Sequence, residues 1–445
     1  MDDKMAAVGE LTRAANGDDE AILRIANRLQ HQRVLELLYA ELFLDVLPHD
    51  GRDKVVVQHD LEIARHVVGY VVRAERDEVT VEPLAWSQDL SRVAETAADV
   101  HISQDLPAFA AMLRSVFGPA AGTGLADVAR LLTAGGRGTA LPWAEIFARR
   151  AEQNADLAAL ALRFGSDKWG ARWYARQYET FFRRFRDQPI RILEIGIGGF
   201  DEAHRGGASL EMWKRYFPRA LVYGIDIEDK RFLETQRLRT FRGNQADPEF
   251  LATVLQQTGE LDIVIDDGSH FCSDQIKSFE LLFPRLATGG LYVIEDMETS
   301  YWPGFGGSSS DFTSPTTGVG YLKDMVDGLN YEAMTSDTAY RRKPTDRSVV
   351  GIHFFHSMAI VEKGVNEDGG LGAMIPDEVK RQGPRLLMPD YPVPPEFEPT
   401  GDATSARSTP STKPVASGSK TGKRAAPVLE DQRGEKTELV NDSHG

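Results

Sequence analysis

The sequence predicts an α/β protein whose larger part is a mostly parallel sheet with helices on both faces. In the second half of the chain, short aliphatic and β-branched runs alternate with segments of helical periodicity, which is typical of a parallel sheet. The expected strands are 191–196, 221–226, 239–242, 261–266, 290–295, 349–355 and 358–363. The last two runs are close enough to form a hairpin, so we expect one edge strand to run antiparallel.

The chain before this sheet predicts a smaller α+β unit. Apolar residues recur at three- and four-residue spacings over residues 20–46, which predicts one long amphipathic helix. Three β-branched runs follow and indicate a small antiparallel sheet. Further helices are expected at 106–117 and 124–133, and glycines with a proline at 134–142 indicate a linker.

These patterns divide the chain into three parts. We expect an auxiliary α+β domain at 1–140, the larger α/β domain at 143–375 and a tail at 376–445. The tail is dominated by Pro, Ser, Thr, Gly and Lys, a composition that cannot bury enough apolar surface to offset the entropy of ordering. We therefore expect the tail to be disordered.

Composition excludes several classes of function. The net charge of −16 argues against nucleic-acid binding, because a phosphate-binding surface needs a basic excess. Cys272 is the one cysteine, so neither an intrachain disulfide nor a cysteine-based zinc site can form. No run approaches the ~18 apolar residues of a membrane span. We expect a cytoplasmic protein with neither nucleic-acid nor membrane partners.

The run RILEIGIGGF at 191–200 predicts a buried strand that ends in a glycine-rich loop. Gly196 and Gly198 would leave backbone N–H groups open to a ligand. Glu194 lies within this strand and Asp226 ends the next, where a carboxylate can accept both hydroxyls of a ribose. Nicotinamide cofactors and S-adenosylmethionine both need such an acid. The loop lacks the third glycine of the dinucleotide pattern, and a structural turn without a ligand stays an alternative.

Two polar residues follow the third strand of the sheet. Gln245 and Asp247 could hydrogen-bond the edge of an adenine ring. Either residue could equally cap the helix that begins at Pro248.

Carboxylates end the next two strands, in the sequences DDGSH and ED. Neighbouring parallel strands lie about 5 Å apart, so these acids would crowd like charges into one crevice. Asp267, Glu295 and Asp296 therefore predict a site for a hard divalent cation, Mg²⁺ first and Mn²⁺ second. Helix capping or pairing with Lys or Arg is the alternative, and it is the one we prefer for Asp266.

His270 lies three residues after Asp267 on the same loop. A neutral imidazole beside a metal-bound hydroxyl can accept its proton at physiological pH, which predicts a general base.

Eight motifs, in this order, resemble the metal-dependent sugar O-methyltransferases of macrolide and related antibiotic pathways, in the macrocin O-methyltransferase superfamily. They are GSDKWG, LEIGIGGF, GGASLEMWKRYFP, GIDIEDK, GNQAD, DIVIDDGSH, YVIEDMETSYWPGFGG and HFFHSMAIVEKG, and they cover about 160–366. The resemblance implies a Rossmann-like S-adenosylmethionine-dependent methyltransferase sheet with an N-terminal α+β auxiliary domain. It also implies a homotetramer and a small-molecule glycoside substrate.

The resemblance also implies roles for individual residues. It implies that Asp267, Glu295 and Asp296 bind Mg²⁺ and that His270 is the general base. The residues expected around S-adenosylmethionine are Glu194, Gly196, Gly198, Gly206, Gly207, Ser209, Asp226, Gln245, Asp247 and Asp267.

Three other functions stay open at this point. Tyr301, Trp302 and Phe305 would suit the walls of a pocket for a phenol or catechol, which the same metal chemistry can methylate. An NAD-dependent oxidoreductase is a further alternative. A scaffold that binds S-adenosylmethionine without catalysis is the last.

Overall fold

Two sheets organise the part of the protein that the computed structural model describes. The structure describes residues 3–43, 54–64, 66–75, 78–84, 98, 100–119, 156–200, 204–367 and 369–383. The expected helix at 124–133, the linker at 134–142 and most of the expected tail lie outside these residues.

The N-terminal part consists of helices around a four-stranded sheet. Its elements are α1 (Asp3–Ala14), α2 (Asp19–Leu29), α3 (His31–Phe43), β1 (Lys54–Ile63), β2 (His66–Glu75), β3 (Glu78–Pro83), β4 (Val100–Asp105) and α4 (Leu106–Phe117). The strand order is β3-β2-β1-β4, and the first three strands are antiparallel as expected. The predicted helix at 106–117 is confirmed.

The single helix predicted over 20–46 is wrong, because the chain breaks at Gln30. This residue has φ 69° and ψ 134°, a conformation that ends α2 before α3 begins. Periodicity did not reveal the break, because the buried residues Ile22 and Ala26 before it and Leu38 after it join one core.

The strand β4 was not predicted. It pairs parallel to β1, with Ile102 opposite His59. Gln104 occupies a buried position on β4, so the alternation of apolar and polar residues that indicates a strand is interrupted there.

The larger part alternates strands and helices as predicted. Its elements are α5 (Leu157–Phe164), α6 (Ala175–Phe182), β5 (Arg191–Ile195), α7 (Ala208–Tyr216), β6 (Leu221–Asp226), β7 (Leu238–Arg242), α8 (Pro248–Thr258), β8 (Leu261–Asp266), α9 (Cys272–Leu282), β9 (Leu286–Glu295), α10 (Gly318–Val326), β10 (Val349–Phe355), β11 (Met358–Lys363), α11 (Leu371–Met374) and α12 (Asp377–Gln382). All seven predicted strands are present, and β9 begins four residues before its predicted start.

The seven strands form one sheet in the order β10-β11-β9-β8-β5-β6-β7. Neighbours from β9 to β7 are parallel, whereas β11 is antiparallel to β9 and β10 is antiparallel to β11. The expectation of an antiparallel edge strand is therefore wrong in one respect. The hairpin places the antiparallel strand second from the edge, and the edge strand β10 runs in the direction of β9.

Both faces of the larger sheet are covered, as predicted. On one face, Ile192, Val222 and Ile265 belong to a core with α5, α6 and α7. On the other face, Leu193 and Tyr223 belong to a core that also contains helices of the N-terminal part.

Arg219, in the segment before β6, connects the larger sheet to helices of the N-terminal part. Its buried guanidinium donates to the carbonyls of Phe117 and Thr12 at 2.9 Å each and to Asn16 Oδ1 at 2.6 Å. The described residues up to Asp377 belong to one compact unit. Among the described residues, no helix is long and apolar enough to cross a membrane.

Candidate active site

The acidic residues singled out in the sequence lie at the carboxyl ends of parallel strands. Asp226, Asp266 and Glu295 are the last residues of β6, β8 and β9, and Glu194 is the last but one of β5. Because these strands are parallel and in register, their ends meet at one edge of the sheet. The arrangement expected from the sequence is therefore present.

The glycine-rich loop after β5 contacts the loop after β8. Gly196 has φ +88°, and a Cβ atom there would lie 2.0 Å from the carbonyl oxygen of Asp267. The Asp267 amide donates to the Ile195 carbonyl at 2.9 Å. At Gly198, with φ +73°, a Cβ atom would have no heavy atom of the described residues within 4 Å. The loop is thus closed against the protein at Gly196 and open at Gly198.

The turn at 206–209 folds against this glycine loop. A Cβ atom on Gly206 would lie 2.3 Å from the Gly198 carbonyl oxygen. The Gly207 amide donates to the Ile197 carbonyl at 2.8 Å, and α7 starts directly afterwards. Both glycines have positive φ, so the close approach depends on the absence of side chains.

Glu194 is fully buried below the loop. Its Oε2 accepts from Ser209 Oγ at 2.8 Å and from Trp213 Nε1 at 3.1 Å, both on α7. Its Oε1 accepts no hydrogen bond from the described residues. Burial raises the pKa of Glu194 to about 7, although the Lys168 ammonium opposes the shift. The orphan oxygen is the structural reason to expect a donor from a bound molecule here.

Asp226 organises the loops on either side of it. Its Oδ2 accepts from the Ile197 amide at 2.9 Å, and its Oδ1 accepts from the Glu228 amide at 2.8 Å. The side chain is half-buried at the strand tip. Contact of this carboxylate with a ribose stays a prediction.

Gln245 and Asp247 have different surroundings. Gln245 is buried, and it donates to Asp266 Oδ1 at 3.0 Å and accepts from the Ser269 amide at 2.8 Å. Asp247 is exposed and caps α8, accepting from the Glu249 amide at 2.9 Å. The capping alternative thus describes Asp247, and a contact of either residue with adenine stays a prediction.

Asp267, His270 and Asp296 come together at the sheet edge. One ligand atom from each lies within 4.8 Å of the other two. His270 and Asp296 have φ +59° and +52°, left-handed conformations that are uncommon for residues other than glycine and cluster at functional sites. Nδ1 of His270 is buried and has no partner among the described residues. This cluster offers the oxygen and nitrogen donors of a metal site.

Glu295, the third predicted ligand, is held by protein groups. It is 1% exposed, and one oxygen accepts from Lys168 Nζ at 3.0 Å. The Tyr178 hydroxyl donates to the other oxygen. Asp266 is also buried and accepts from Ser278 and Gln245. Its partners among the described residues are neither a helix N-terminus nor a Lys or Arg, so the capping or ion-pairing role that we preferred for it is wrong.

Lys168 is one of the residues that sequence reasoning missed. Its ammonium is 1% exposed and lies 2.5 Å from Asp267 Oδ2 and 3.7 Å from Glu194 Oε1. The repulsion expected among the acids is therefore relieved in part by a lysine. Lys168 belongs to the GSDKWG motif, which was noted in the sequence. A lysine next to an aspartate is usually exposed to solvent, however, and no periodic pattern indicates that this side chain is buried.

The charge state of Lys168 excludes it as a general base. Burial by itself would lower the pKa of Lys168, but the carboxylates of Asp267, Glu295 and Glu194 raise it well above its ordinary value. The ammonium therefore keeps its proton at neutral pH.

Asp296 also has partners from the segment before the sheet. Its Oδ2 accepts from Arg172 at 2.6 Å, and its Oδ1 accepts from the Tyr174 hydroxyl at 2.7 Å. Arg172 also pairs with Glu298 at 2.7 Å. The segment 166–178 thus supplies cations or hydroxyls to every acid predicted to bind the metal.

Aromatic side chains surround the loop that carries His270. Phe271 packs against Phe305 with 5.4 Å between ring centroids, and Trp302 packs against Phe305 at 5.8 Å. Phe271 and Trp302 are 45% and 48% exposed. These rings offer an apolar surface beside the cluster of Asp267, His270 and Asp296.

Known proteins resemble this chain over most of its length. A mycinamicin VI 2''-O-methyltransferase from Micromonospora griseorubida is 34% identical over 394 residues, which are 83% of this chain and 94% of that protein. A solved structure of MycE methyltransferase from the mycinamycin biosynthetic pathway, in complex with Mg and SAH, superimposes with a TM-score of 0.67 at 31% identity. It covers 88% of this chain and 100% of that chain.

A second curated relative matches over a shorter range. The demethylmacrocin O-methyltransferase of Streptomyces fradiae is 46% identical over 222 residues, which are 50% of this chain and 56% of that protein. No protein-family model matches the chain. The mycinamicin VI 2''-O-methyltransferase matches over most of its own length and of this chain, in agreement with the motifs found in the sequence. The chain therefore belongs to the family of antibiotic sugar O-methyltransferases that includes mycinamicin VI 2''-O-methyltransferase.

Proposed function

We propose that this protein transfers the methyl group of S-adenosylmethionine to a sugar hydroxyl of a glycosylated natural product, a macrolide or another polyketide glycoside. The observation that carries the proposal is the cluster of Asp267, His270 and Asp296 beside an open glycine loop at one sheet edge. The names of the Micromonospora griseorubida relative and of the MycE structure both describe a methyltransferase.

The donor set suits a hard divalent ion. Asp267 and Asp296 would hold Mg²⁺, or Mn²⁺ in its place, through carboxylate oxygens. Glu295 is a further ligand in this proposal. To bind the ion, one of its oxygens would have to give up a hydrogen bond from the protein. When bound, the ion supplies positive charge for a developing sugar oxyanion, and S-adenosylmethionine supplies a methyl group on a sulfonium sulfur.

The protein residues prepare the acceptor hydroxyl. His270 removes its proton, for which histidine is suited because its usual titration range includes neutral pH. The left-handed backbone at His270 fixes the direction of the ring, and the unpartnered Nδ1 is a site for the hydrogen bond that sets its tautomer. Lys168 and Arg172 place positive charge beside Asp267 and Asp296, at 2.5 and 2.6 Å.

The donor site is proposed around the glycine loop. Gly198 gives a ligand room to approach the backbone, and Glu194 Oε1 is free to accept a hydrogen bond from it. Asp226 would accept the ribose hydroxyls, and Gly206, Gly207 and Ser209 close the far side of the loop. Gln245, Asp247 and Asp267 complete the predicted set.

One assay tests the proposal directly. Purified protein is incubated with methyl-labelled S-adenosylmethionine, Mg²⁺ and a panel of glycosylated polyketides, and product mass and label are followed. We expect methylation of at least one glycoside and its loss when EDTA removes the metal. Full activity in EDTA, or binding of S-adenosylhomocysteine without transfer to any acceptor, would contradict it.

A flat phenolic acceptor is a second candidate, because exposed aromatic rings adjoin the site. Tyr301 and Trp302 are exposed and Phe305 is half-buried, so they could stack on a planar ring. Catechols belong in the same panel. Methylation of a catechol in preference to every glycoside would favour this alternative.

We also propose that the enzyme works in the cytoplasm as a homo-oligomer, a tetramer by its resemblance to the family. The composition supports this location, because the chain has one cysteine, which is buried in the structure. Light scattering after size-exclusion chromatography measures the oligomeric mass, and a monomer at micromolar concentration would contradict the second part.

A further inference from the structure

Three carboxylates approach one another where β5, β8 and β9 end. Glu194 and Glu295 are buried, and Asp267 follows β8 directly. Like charges in this position repel one another, and a cation placed among them offsets that repulsion. Their spacing therefore depends on a positive charge among them.

Lys168 supplies that charge from outside the sheet. Its Nζ donates to Asp267 Oδ2 at 2.5 Å and to Glu295 Oε2 at 3.0 Å, so a single ammonium ties the loop after β8 to the end of β9. Lys168 therefore binds Asp267 through one carboxylate oxygen, Oδ2.

The backbone of Lys168 is anchored to the start of α6. Its carbonyl accepts from the amides of Tyr174 at 3.1 Å and Ala175 at 3.2 Å. From the same region, Tyr174 and Tyr178 reach Asp296 and Glu295. The position of Lys168 is therefore set together with the hydroxyl groups that hold the other two acids.

We propose that Lys168 is a positioning residue that sets the spacing of Asp267 and Glu295 and thereby the affinity of the site for its divalent cation. This inference rests on the proposed function, because it takes these acids as metal ligands. Lys168 does not touch the ion or the acceptor in this proposal. Its effect is on the geometry of groups that do, and partners of this kind typically contribute 10- to 100-fold in metal affinity.

The test replaces Lys168 by Met, which keeps the length of the side chain and removes its charge. Mn²⁺ binding is measured from the EPR signal of free Mn²⁺, and S-adenosylhomocysteine binding is measured by calorimetry without metal. We expect the Kd for Mn²⁺ to rise roughly 10- to 100-fold in the variant. The melting temperature of each protein reports whether its fold is intact.

Lys214→Met is the matched control. Lys214 is also a buried lysine, but it pairs with Glu211 on its own helix at 2.7 Å and not with the acids at the strand ends. A general cost of removing a buried lysine would appear in both variants. We expect unchanged Mn²⁺ affinity in Lys214→Met. Mn²⁺ affinity in a folded Lys168→Met protein that equals or exceeds that of the wild type would overturn the inference.

Lys168→Arg keeps the test decisive if the Met variant does not fold. Arginine retains the charge, but its planar, delocalised guanidinium places that charge differently between the two carboxylates than a compact ammonium does. We expect weaker Mn²⁺ binding in this variant as well, and unchanged binding would overturn the inference. Failure of the proposed function looks different: the wild type would bind Mn²⁺ more tightly than Lys168→Met and still methylate no glycoside.

Discussion

At the scale of single residues, His270 combines a strained backbone with a ring beside two carboxylates. Its Nε2 lies 3.9 Å from Asp296 Oδ2, close enough to share a bound ligand but too far for a hydrogen bond. Histidine, asparagine and aspartate tolerate the left-handed conformation better than other residues with side chains. Asparagine is therefore the substitution that tests the ring without changing the backbone.

His270→Asn should lower kcat by roughly 10²–10⁴, the usual contribution of a general base. Initial rates at saturating acceptor and S-adenosylmethionine measure this loss. Mn²⁺ affinity should change much less than kcat, because the two carboxylates remain. His353→Asn, on the edge strand, is the control and should keep its rate. Full turnover of His270→Asn at neutral pH would assign the base to another group.

His59 in the N-terminal sheet makes stability depend on pH. The ring is fully buried, and Nδ1 is hydrogen-bonded to the Tyr39 hydroxyl at 2.8 Å. Burial lowers the pKa of His59 to about 3. In the unfolded chain it takes up a proton below about pH 6.5. Its contribution to stability is thus fully present above about pH 6.5 and is lost as the pH falls toward 3.

We expect the free energy of unfolding to fall over this range, with about 1.4 kcal/mol for each pH unit contributed by His59. Urea titrations between pH 7.5 and 4.5 measure the slope. His59→Gln should make the slope shallower, whereas His356→Gln, at an exposed position, should leave it as it is. An equal slope in His59→Gln and the wild type would show that other groups cause the acid sensitivity.

At the scale of elements, the glycine loop and the loop after β8 are built as one unit. Their backbones meet at Gly196, where a methyl group would occupy the space of the Asp267 carbonyl. Gly198 is two residues away and has a similar φ but open surroundings. Alanine substitutions at Gly196 and Gly198 therefore separate the cost of a left-handed backbone from the cost of a steric clash.

Gly196→Ala should destabilise the protein by several kcal/mol, on the order of 3 or more, since backbone atoms must move. It should also weaken metal binding, because Asp267 moves with its carbonyl. Gly198→Ala should lower the free energy of unfolding by only about 1 kcal/mol, which is the strain of an alanine in the left-handed conformation. If Gly198 adjoins the donor, this variant stays folded but binds S-adenosylhomocysteine more weakly. Calorimetry and thermal melts measure both, and equal stability of the two variants would contradict the argument.

Sequence patterns predicted the elements better than their ends or their partners. All seven strands of the larger sheet were predicted, and the signal was clearest for β5, β6 and β8, because buried parallel strands are nearly continuous apolar runs. The break at Gln30 was missed because the apolar stripe continues through it. Lys168 and Arg172 were missed for a different reason. Periodicity indicates which face of an element is buried, but it does not indicate which distant charge a side chain will meet.

At the scale of the whole molecule, buried polar contacts connect the N-terminal helices to the larger sheet. Besides Arg219, Arg237 at the edge of that sheet donates to Glu41 on α3 at 2.8 Å, and Gln236 donates to the Leu37 carbonyl at 3.2 Å. Such contacts between distant parts of the sequence were not visible in composition or periodicity. They make the two parts depend on each other for stability.

Arg219→Met should lower the free energy of unfolding by several kcal/mol, on the order of 3 to 5. The substitution leaves several buried oxygens without a donor. Arg231→Met is the control, because Arg231 is exposed and pairs with the nearby Asp229, and it should change stability by less than about 1 kcal/mol. Chemical unfolding followed by tryptophan fluorescence measures both. Similar losses in the two variants would show that Arg219 does not connect the parts.

The position of residues 166–178 in the chain also has a consequence for biosynthesis. Lys168, Tyr174 and Tyr178 leave the ribosome before the acids that they hold, because Asp267, Glu295 and Asp296 all come later in the sequence. The carboxyl ends of β8 and β9 are therefore synthesised after the ammonium and the hydroxyl groups that bind them. A circular permutant that moves this segment behind β11 would reverse the order and leave the acids unpaired during translation.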